Sequence, residues 1–451
     1  SSQFGLTMPG SASLFSSIVN LVKAQIGAGI LALPWCFGQC GVVMGTFIIF
    51  FFGCVQTFAL HIFAIVAVDA HSRGQDVSFR QLSKAAFKGN KSAMAFVETS
   101  VISFTYGAAV SYFIVIGDVL PEVMEYFEVT SSPWLSRHFW MTFLGLCYIL
   151  PLSFFRNMNT LKIASLVGNF SILYIVFVIF MCSSRLVDVP PASQPLTFWP
   201  PEKSEKTSVA GAFEATSIFI FAFGCVTSLP ALVIELKDVT IRRVDYLVVI
   251  SMSICFLVYV AIGVMGAHAF GSTVEGNVMI NFPIQRGTLG GNLSIFSRLA
   301  IVFNVSGSIA LEDFILRQSV SQIFFQKSQK DLSFATNATV AIIIFTLTWG
   351  LAMCVESLAS VMAFIGATCN NFLGYAFPAF FYVLGVKLTD NSGGDFGVSL
   401  QGQQPEESTS CMKSWARLNP QRKVSWVLGF ASIAMAPVLV AAQFYRSVSV
   451  H

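Results

Sequence analysis

Eleven runs of apolar residues, each long enough to cross a layer of hydrocarbon, follow one another along this chain and leave little room for another kind of fold. A bilayer core of about 30 Å needs about 20 apolar residues per helix. That ruler places spans at 14–39, 41–68, 93–120, 138–155, 159–182, 209–234, 244–270, 292–318, 335–355, 357–384 and 424–446. Only 11% of the 451 residues are charged and the mean hydropathy is +0.72, whereas soluble domains are about a quarter charged. The chain therefore reads as an all-α polytopic membrane protein whose surroundings are the lipid bilayer. A net charge of +3, scattered along the chain, does not suggest nucleic acid as a partner.

Basic residues orient the spans. Eighteen of the 26 Lys and Arg fall in one set of alternate loops, from Arg73 and Arg80 to Arg422 and Lys423; seven fall in the other set and the tail, and Lys23 lies inside span 1. This bias predicts a cytoplasmic N-terminus and an extracellular or lumenal C-terminus. Within the loop 69–92, residues 77–88 have the apolar pattern of a short amphipathic helix at the interface. Residues 183–208 read as an irregular outer loop and residues 388–413 as a disordered cytoplasmic one.

Two spans carry features that weaken a helix. Span 1 contains Gly27-Ala28-Gly29 followed by Pro34, and span 6 contains Phe223-Gly224-Cys225-Val226-Thr227-Ser228-Leu229-Pro230. Broken backbone inside a bilayer must be buried in protein or line a watery cavity. A pair of interrupted spans at corresponding places in two halves is the pattern of a secondary transporter. The freed N–H groups of such breaks can hold a carboxylate, and the freed carbonyls an ammonium or a small cation. A zwitterionic amino acid needs both.

At these residues the chain resembles the amino acid/auxin permease family. The likeness runs from Asn20-Leu21-Val22-Lys23 to Pro34, through Ser111-Tyr112-Phe113 to Asp118, Glu235-Leu236-Lys237-Asp238, Ala269-Phe270-Gly271-Ser272 with Asn281-Phe282-Pro283, and Ser360 to Gly366. The resemblance implies a LeuT-type fold, with five-helix inverted repeats over 14–182 and 209–384 and an eleventh helix at 424–446, together forming a single transporter domain. It also implies an amino acid substrate bound between the breaks, against Gly27, Ala28, Gly29, Ile30, Phe223, Gly224, Cys225 and Thr227. Tyr106 in span 3 is the candidate to close over it.

The same resemblance frames the coupling ion. Sodium-coupled members place an Asn where this chain has Lys23 and a Thr where it has Ser308; an ammonium group has no lone pair for sodium. Lys23 matches the proton-coupled branch instead, although Asn20 stands where that branch carries His. A charge inside a span is a functional candidate by default, and Lys23, Ser306, Ser308 and Glu312 form the expected ion-coupling set. Glu312 is the first choice for the proton acceptor, because a carboxyl away from water holds its proton more readily. The coupling ion is expected to be H+, with Na+ as the alternative. An amino acid sensor built on the same cavity is the rival of another class. No enzyme constellation, metal-ligand spacing or cofactor motif is visible, and the membrane is either the plasma membrane or a vacuolar or lysosomal one.

Overall fold

The computed structural model describes residues 10, 12–154, 158–187, 197–199, 209–325, 329–385, 387–388, 398–399 and 420–449. Helices dominate them because hydrocarbon offers no partner to a backbone N–H or C=O, so each span must bond to itself. In chain order they are α1 Leu14–Gln25, α2 Leu33–Cys40, α3 Val42–Ser72, α4 Phe79–Ala86, α5 Lys91–Tyr126, α6 Arg137–Leu144, α7 Leu150–Ser153 and α8 Met158–Ser183. There follow α9 Val209–Ala222, α10 Leu229–Glu235, α11 Ile241–Phe270, α12 Leu289–Val320, α13 Phe334–Cys354, α14 Leu358–Ile365, α15 Phe377–Gly385 and α16 Pro420–Ser449.

Among the described residues seven helical stretches are long and apolar enough to cross a membrane, one of them being α9 and α10 taken together over Ala210–Glu235, and α1 with α2, bent by 51°, makes an eighth when the pair is counted as one span. The other three regions read as spans are helical but do not form one long described apolar helix. In 138–155 a π-helical turn at Gly145–Ile149 separates α6 from α7, and in 357–384 two such turns, Gly366–Asn370 and Phe372–Ala376, separate α14 from α15. In 159–182 the apolar stretch with described side chains is Phe170–Ser183.

The short helix expected in the loop 69–92 is α4, capped by Ser78, which accepts from the Gln81 amide at 3.4 Å. It does more than lie on an interface. Phe79 stacks on Phe63 with ring centroids 5.2 Å apart and meets Phe381 at 6.1 Å, which pins α4 to α3 and α15. Most of the loop 183–208 and of 388–413 lies outside the described residues. Within the latter, Leu388 pairs with Val398 in a two-residue antiparallel ladder.

The core is built on α12 packed against α5 and α8, and on α9 surrounded by α2, α3, α14 and α16. Just before α1, Ala12 pairs with the end of α10, its amide donating to Glu235 O at 2.9 Å and its carbonyl accepting from Lys237 N at 3.0 Å. The starts and ends of the two broken spans are thereby tied at one end of the bundle.

Small residues allow the closest approaches. A Cβ on Gly366 would overlap the Ser217 carbonyl, and one on Gly263 would overlap the Phe37 ring. Backbone cannot move aside as a side chain can, so Gly366→Ala should lower stability by about 1–3 kcal/mol. Gly350, with nothing within 4 Å of its would-be Cβ, is the control: Gly350→Ala should leave the melting temperature of the purified protein unchanged while Gly366→Ala lowers it.

Candidate functional site

Both breaks form where glycine and proline mark them. After Gln25 the chain leaves the α-helix at Ile26 and Gly27, makes a 3-10 turn over Ala28–Ala32, and resumes with Pro34 in the first turn of α2. Span 6 repeats the device: α9 ends at Ala222, Val226–Ser228 forms a 3-10 turn, and α10 starts with Pro230 in its first turn. The first amides of each new turn have no acceptor within it.

The two breaks touch. A Cβ on Gly29 would stand 3.2 Å from Ala222 Cα and 3.5 Å from the Phe221 ring. Ala28 and Ile30 are buried around this contact, and Phe223 packs against Gly53 of α3. Gly224 keeps some exposed surface; its would-be Cβ meets the Asn370 side-chain oxygen at 2.8 Å and the Phe104 ring at 2.9 Å. Thr227 is half-buried, whereas Cys225 is fully buried.

Span 3 contributes through residues other than the expected one. Tyr106 is turned away from the breaks: its hydroxyl donates to Leu347 O on α13 at 2.8 Å, and its ring packs beside Leu316, Val340 and Ile344. Phe104, two residues earlier and on the opposite side of the helix, faces the break and lies 6.0 Å from Phe221 between ring centroids. Tyr112, two turns further on, sets its hydroxyl against Gly27 and the Ala28 backbone and lies within electrostatic reach of Glu312.

The expected ion-coupling residues lie on α1 and α12. Ser306 is buried and donates to Val302 O at 2.6 Å; Ser308 is half-buried and donates to Asn304 O at 3.0 Å. Glu312 and Lys23 both keep accessible surface. Asp313 is turned inward, accepting from Ser153 at 2.7 Å. Glu312 thus lies within electrostatic reach of Tyr112, while both serine hydroxyls bond to their own helix.

Three features were missed from the sequence. The Gln25 side chain, at the last residue of α1, is 5% exposed, and neither of its amide atoms has a protein partner, an arrangement that is costly for a buried amide. Its place in Lys23-Ala24-Gln25-Ile26-Gly27 was the available signal. Tyr259 bonds to both half-helices. At the end of the bundle opposite the start of α1, Arg298 is fully buried and donates to Glu122 at 2.7 Å, to Ser294, and to the Met279 and Phe282 carbonyls at 3.0 and 3.1 Å. Beside it Asn277 donates to Asp118 at 3.1 Å. These bonds hold the segment Val278–Asn281 down over Ala28–Ala32.

Residues 10–396 match the family described as transmembrane amino acid transporter protein. The chain belongs to this family. It is 27% identical over 377 residues to vacuolar amino acid transporter 5 of Schizosaccharomyces pombe, which covers 83% of this chain and 84% of that protein. It is 25% identical to vacuolar amino acid transporter 6 of Saccharomyces cerevisiae, covering 82% and 89%. It is also 25% identical to solute carrier family 38 member 10 of Homo sapiens, of whose length this chain spans 32%. Such relatives are transporters, so this member of the family is not an enzyme. Among solved structures, MhsT in complex with L-phenylalanine superposes with a TM-score of 0.58 at 12% identity, covering 97% and 100% of the two chains. The inward-facing conformation of Mhp1 superposes with a TM-score of 0.59 at 12% identity, covering 98% and 92%. These likenesses show a LeuT-like fold, and the family match together with the long apolar helices shows a multi-pass integral membrane protein.

The contact between Gly29 and Ala222 leaves no room for a branched side chain. Gly29→Val should weaken amino acid binding by more than about tenfold, the scale of one to two units of overpacking strain, while the protein inserts and purifies normally. Binding followed by thermal shift with a panel of L-amino acids checks this; wild-type shifts in Gly29→Val would remove the break from the site.

Proposed function

We propose that this protein is a proton-coupled secondary carrier of neutral amino acids that works by alternating access. The observation that carries this reading is the meeting of two broken helices at Gly29 and Ala222, which brings two helix starts, whose first amides have no acceptor within their own turn, to one buried place. In this reading spans 1–5 and 6–10 are two inverted five-helix repeats, α16 is the eleventh span, and the N-terminus is cytoplasmic. The relatives named vacuolar support a vacuolar or lysosomal membrane. An apolar substrate side chain would meet Phe104 and Phe221, which flank the breaks.

Proton coupling is supported by Lys23 and Glu312. Lys23 lies in the last turn of α1, where the negative end of the half-helix already favours a cation. A fixed ammonium there repels sodium. Glu312 lies within electrostatic reach of Tyr112, whose hydroxyl sits against Gly27 and the Ala28 backbone, so in this reading its protonation acts on the span 1 break through charge. Sodium coupling is the rival outcome of the test, since one relative carries the name putative sodium-coupled neutral amino acid transporter 10.

Uptake of labelled neutral amino acids into proteoliposomes, under imposed pH or sodium gradients, separates these readings. Replacing sodium with choline should leave uptake unchanged, and acidifying the outer or lumenal side should raise it. Glu312→Gln should abolish the pH response while amino acid binding survives, and Lys23→Asn should introduce partial sodium dependence. A steep sodium requirement in the wild type would overturn proton coupling; binding with no flux under any gradient would favour a sensor.

A further inference from the structure

Tyr259 lies in the middle of α11 and is fully buried. Its hydroxyl oxygen is 2.8 Å from the carbonyl oxygen of Gln25 and 2.7 Å from that of Ala222. These are the last residues of α1 and α9. Carbonyls at a helix end have no donor within the helix, and they carry the negative pole of its dipole. Two such poles pointing at one spot form a place that draws a cation. Here the spot is filled by a phenol, locked by Phe223 with ring centroids 5.4 Å apart.

A phenol carries one proton. It donates to one carbonyl at a time; the Gln25 carbonyl also accepts from Gly27 N at 2.9 Å, so the Ala222 carbonyl is the acceptor that depends on the phenol. The tie between the two broken helices therefore rests on a single O–H shared between two acceptors. Cys225, Cys255 and Tyr112 are the other titratable groups beside it, and none brings a positive charge.

We propose that Tyr259 is a positioning residue that stands in for a bound cation: its hydroxyl holds the C-terminal ends of α1 and α9 together, so the carrier can keep its site assembled without a metal ion. The inference rests on the reading of the two breaks as the substrate site and extends it to the question of why no cation is needed there.

The test compares wild type, Tyr259→Phe, and a variant with p-aminophenylalanine incorporated at position 259, using the full chain in proteoliposomes. The Phe ring fills the same space with no donor; the aniline fills it with two. Counterflow of a tritiated mixture of neutral L-amino acids is measured in choline, sodium or lithium chloride, with melting temperatures in the same salts. Wild type should be indifferent to the salt. Tyr259→Phe should lose about tenfold or more of its counterflow in choline, the scale of one unmade buried hydrogen bond. It should recover at least about threefold, with a higher melting temperature, when sodium or lithium can sit between the exposed carbonyls. The aniline variant should keep wild-type counterflow in choline and melt no lower than wild type. Equal behaviour of the Phe and aniline variants overturns the proposal, whether both are active, both are inactive or both fail to fold. A loss in Tyr259→Phe that neither sodium nor lithium restores overturns it too. A sodium requirement in the wild type counts against proton coupling instead, and the comparison of the two variants still decides the role of Tyr259.

Discussion

A backbone carbonyl in hydrocarbon has only other protein atoms to bond with, and that constraint shapes everything around the two broken spans. Interrupting α1 and α9 frees donors and acceptors at the centre of the bundle, where each unsatisfied group costs several kcal/mol. The surrounding helices answer with side chains. Tyr259 from α11 reaches both carbonyl ends, Tyr112 from α5 lies against the first amides of the 3-10 turn, and Asn370 from the π-helical part of span 10 donates to Ile220 O at 2.5 Å. A break is thus a shared property of four or five spans, and this is why the bundle cannot be read as independent rods.

The parts of this arrangement that depend on local chemistry were legible in the sequence. Runs of apolar residues specify spans, and Gly27, Gly29, Pro34, Gly224 and Pro230 specify where two of them stop being helical, because glycine weakens a helix and proline removes a donor. The amphipathic pattern of residues 77–88 announced α4. The π-helical turns at Gly145–Ile149 and Gly366–Asn370 were not legible, since an i+5 pattern has no residue signature. Both start at a glycine pressed against a neighbour, Gly145 on Phe345 and Gly366 on the Ser217 carbonyl, so their cause is tertiary.

The candidate site was legible only in its backbone. Choosing Tyr106 from span 3 required knowing how α5 is rotated about its axis, and a 36-residue helix with apolar residues on every side conceals that angle. Two residues correspond to just over half a turn, so Phe104 faces the break and Tyr106 faces α13. Arg298 shows the complementary failure. Counted as a loop charge when orienting the spans, it is fully buried and paired with Glu122, 176 residues earlier. A lone arginine in an apolar run carries no mark of its partner.

That buried arginine also bears on how such a carrier would open. A buried charge with its partner removed and no water to replace it costs about 3–5 kcal/mol, so parting the fully buried Arg298 from the half-buried Glu122 is a poor first step. The weaker bonds are those from Arg298 to the Met279 and Phe282 carbonyls, which are neutral acceptors on a segment outside the long helices. Lifting Val278–Asn281 breaks these first and lets water reach the ion pair, where solvation offsets what separation costs. In the proposed alternating-access reading, the cover over Ala28–Ala32 would then move before α5 and α12 part, with the two broken helices still joined at Tyr259.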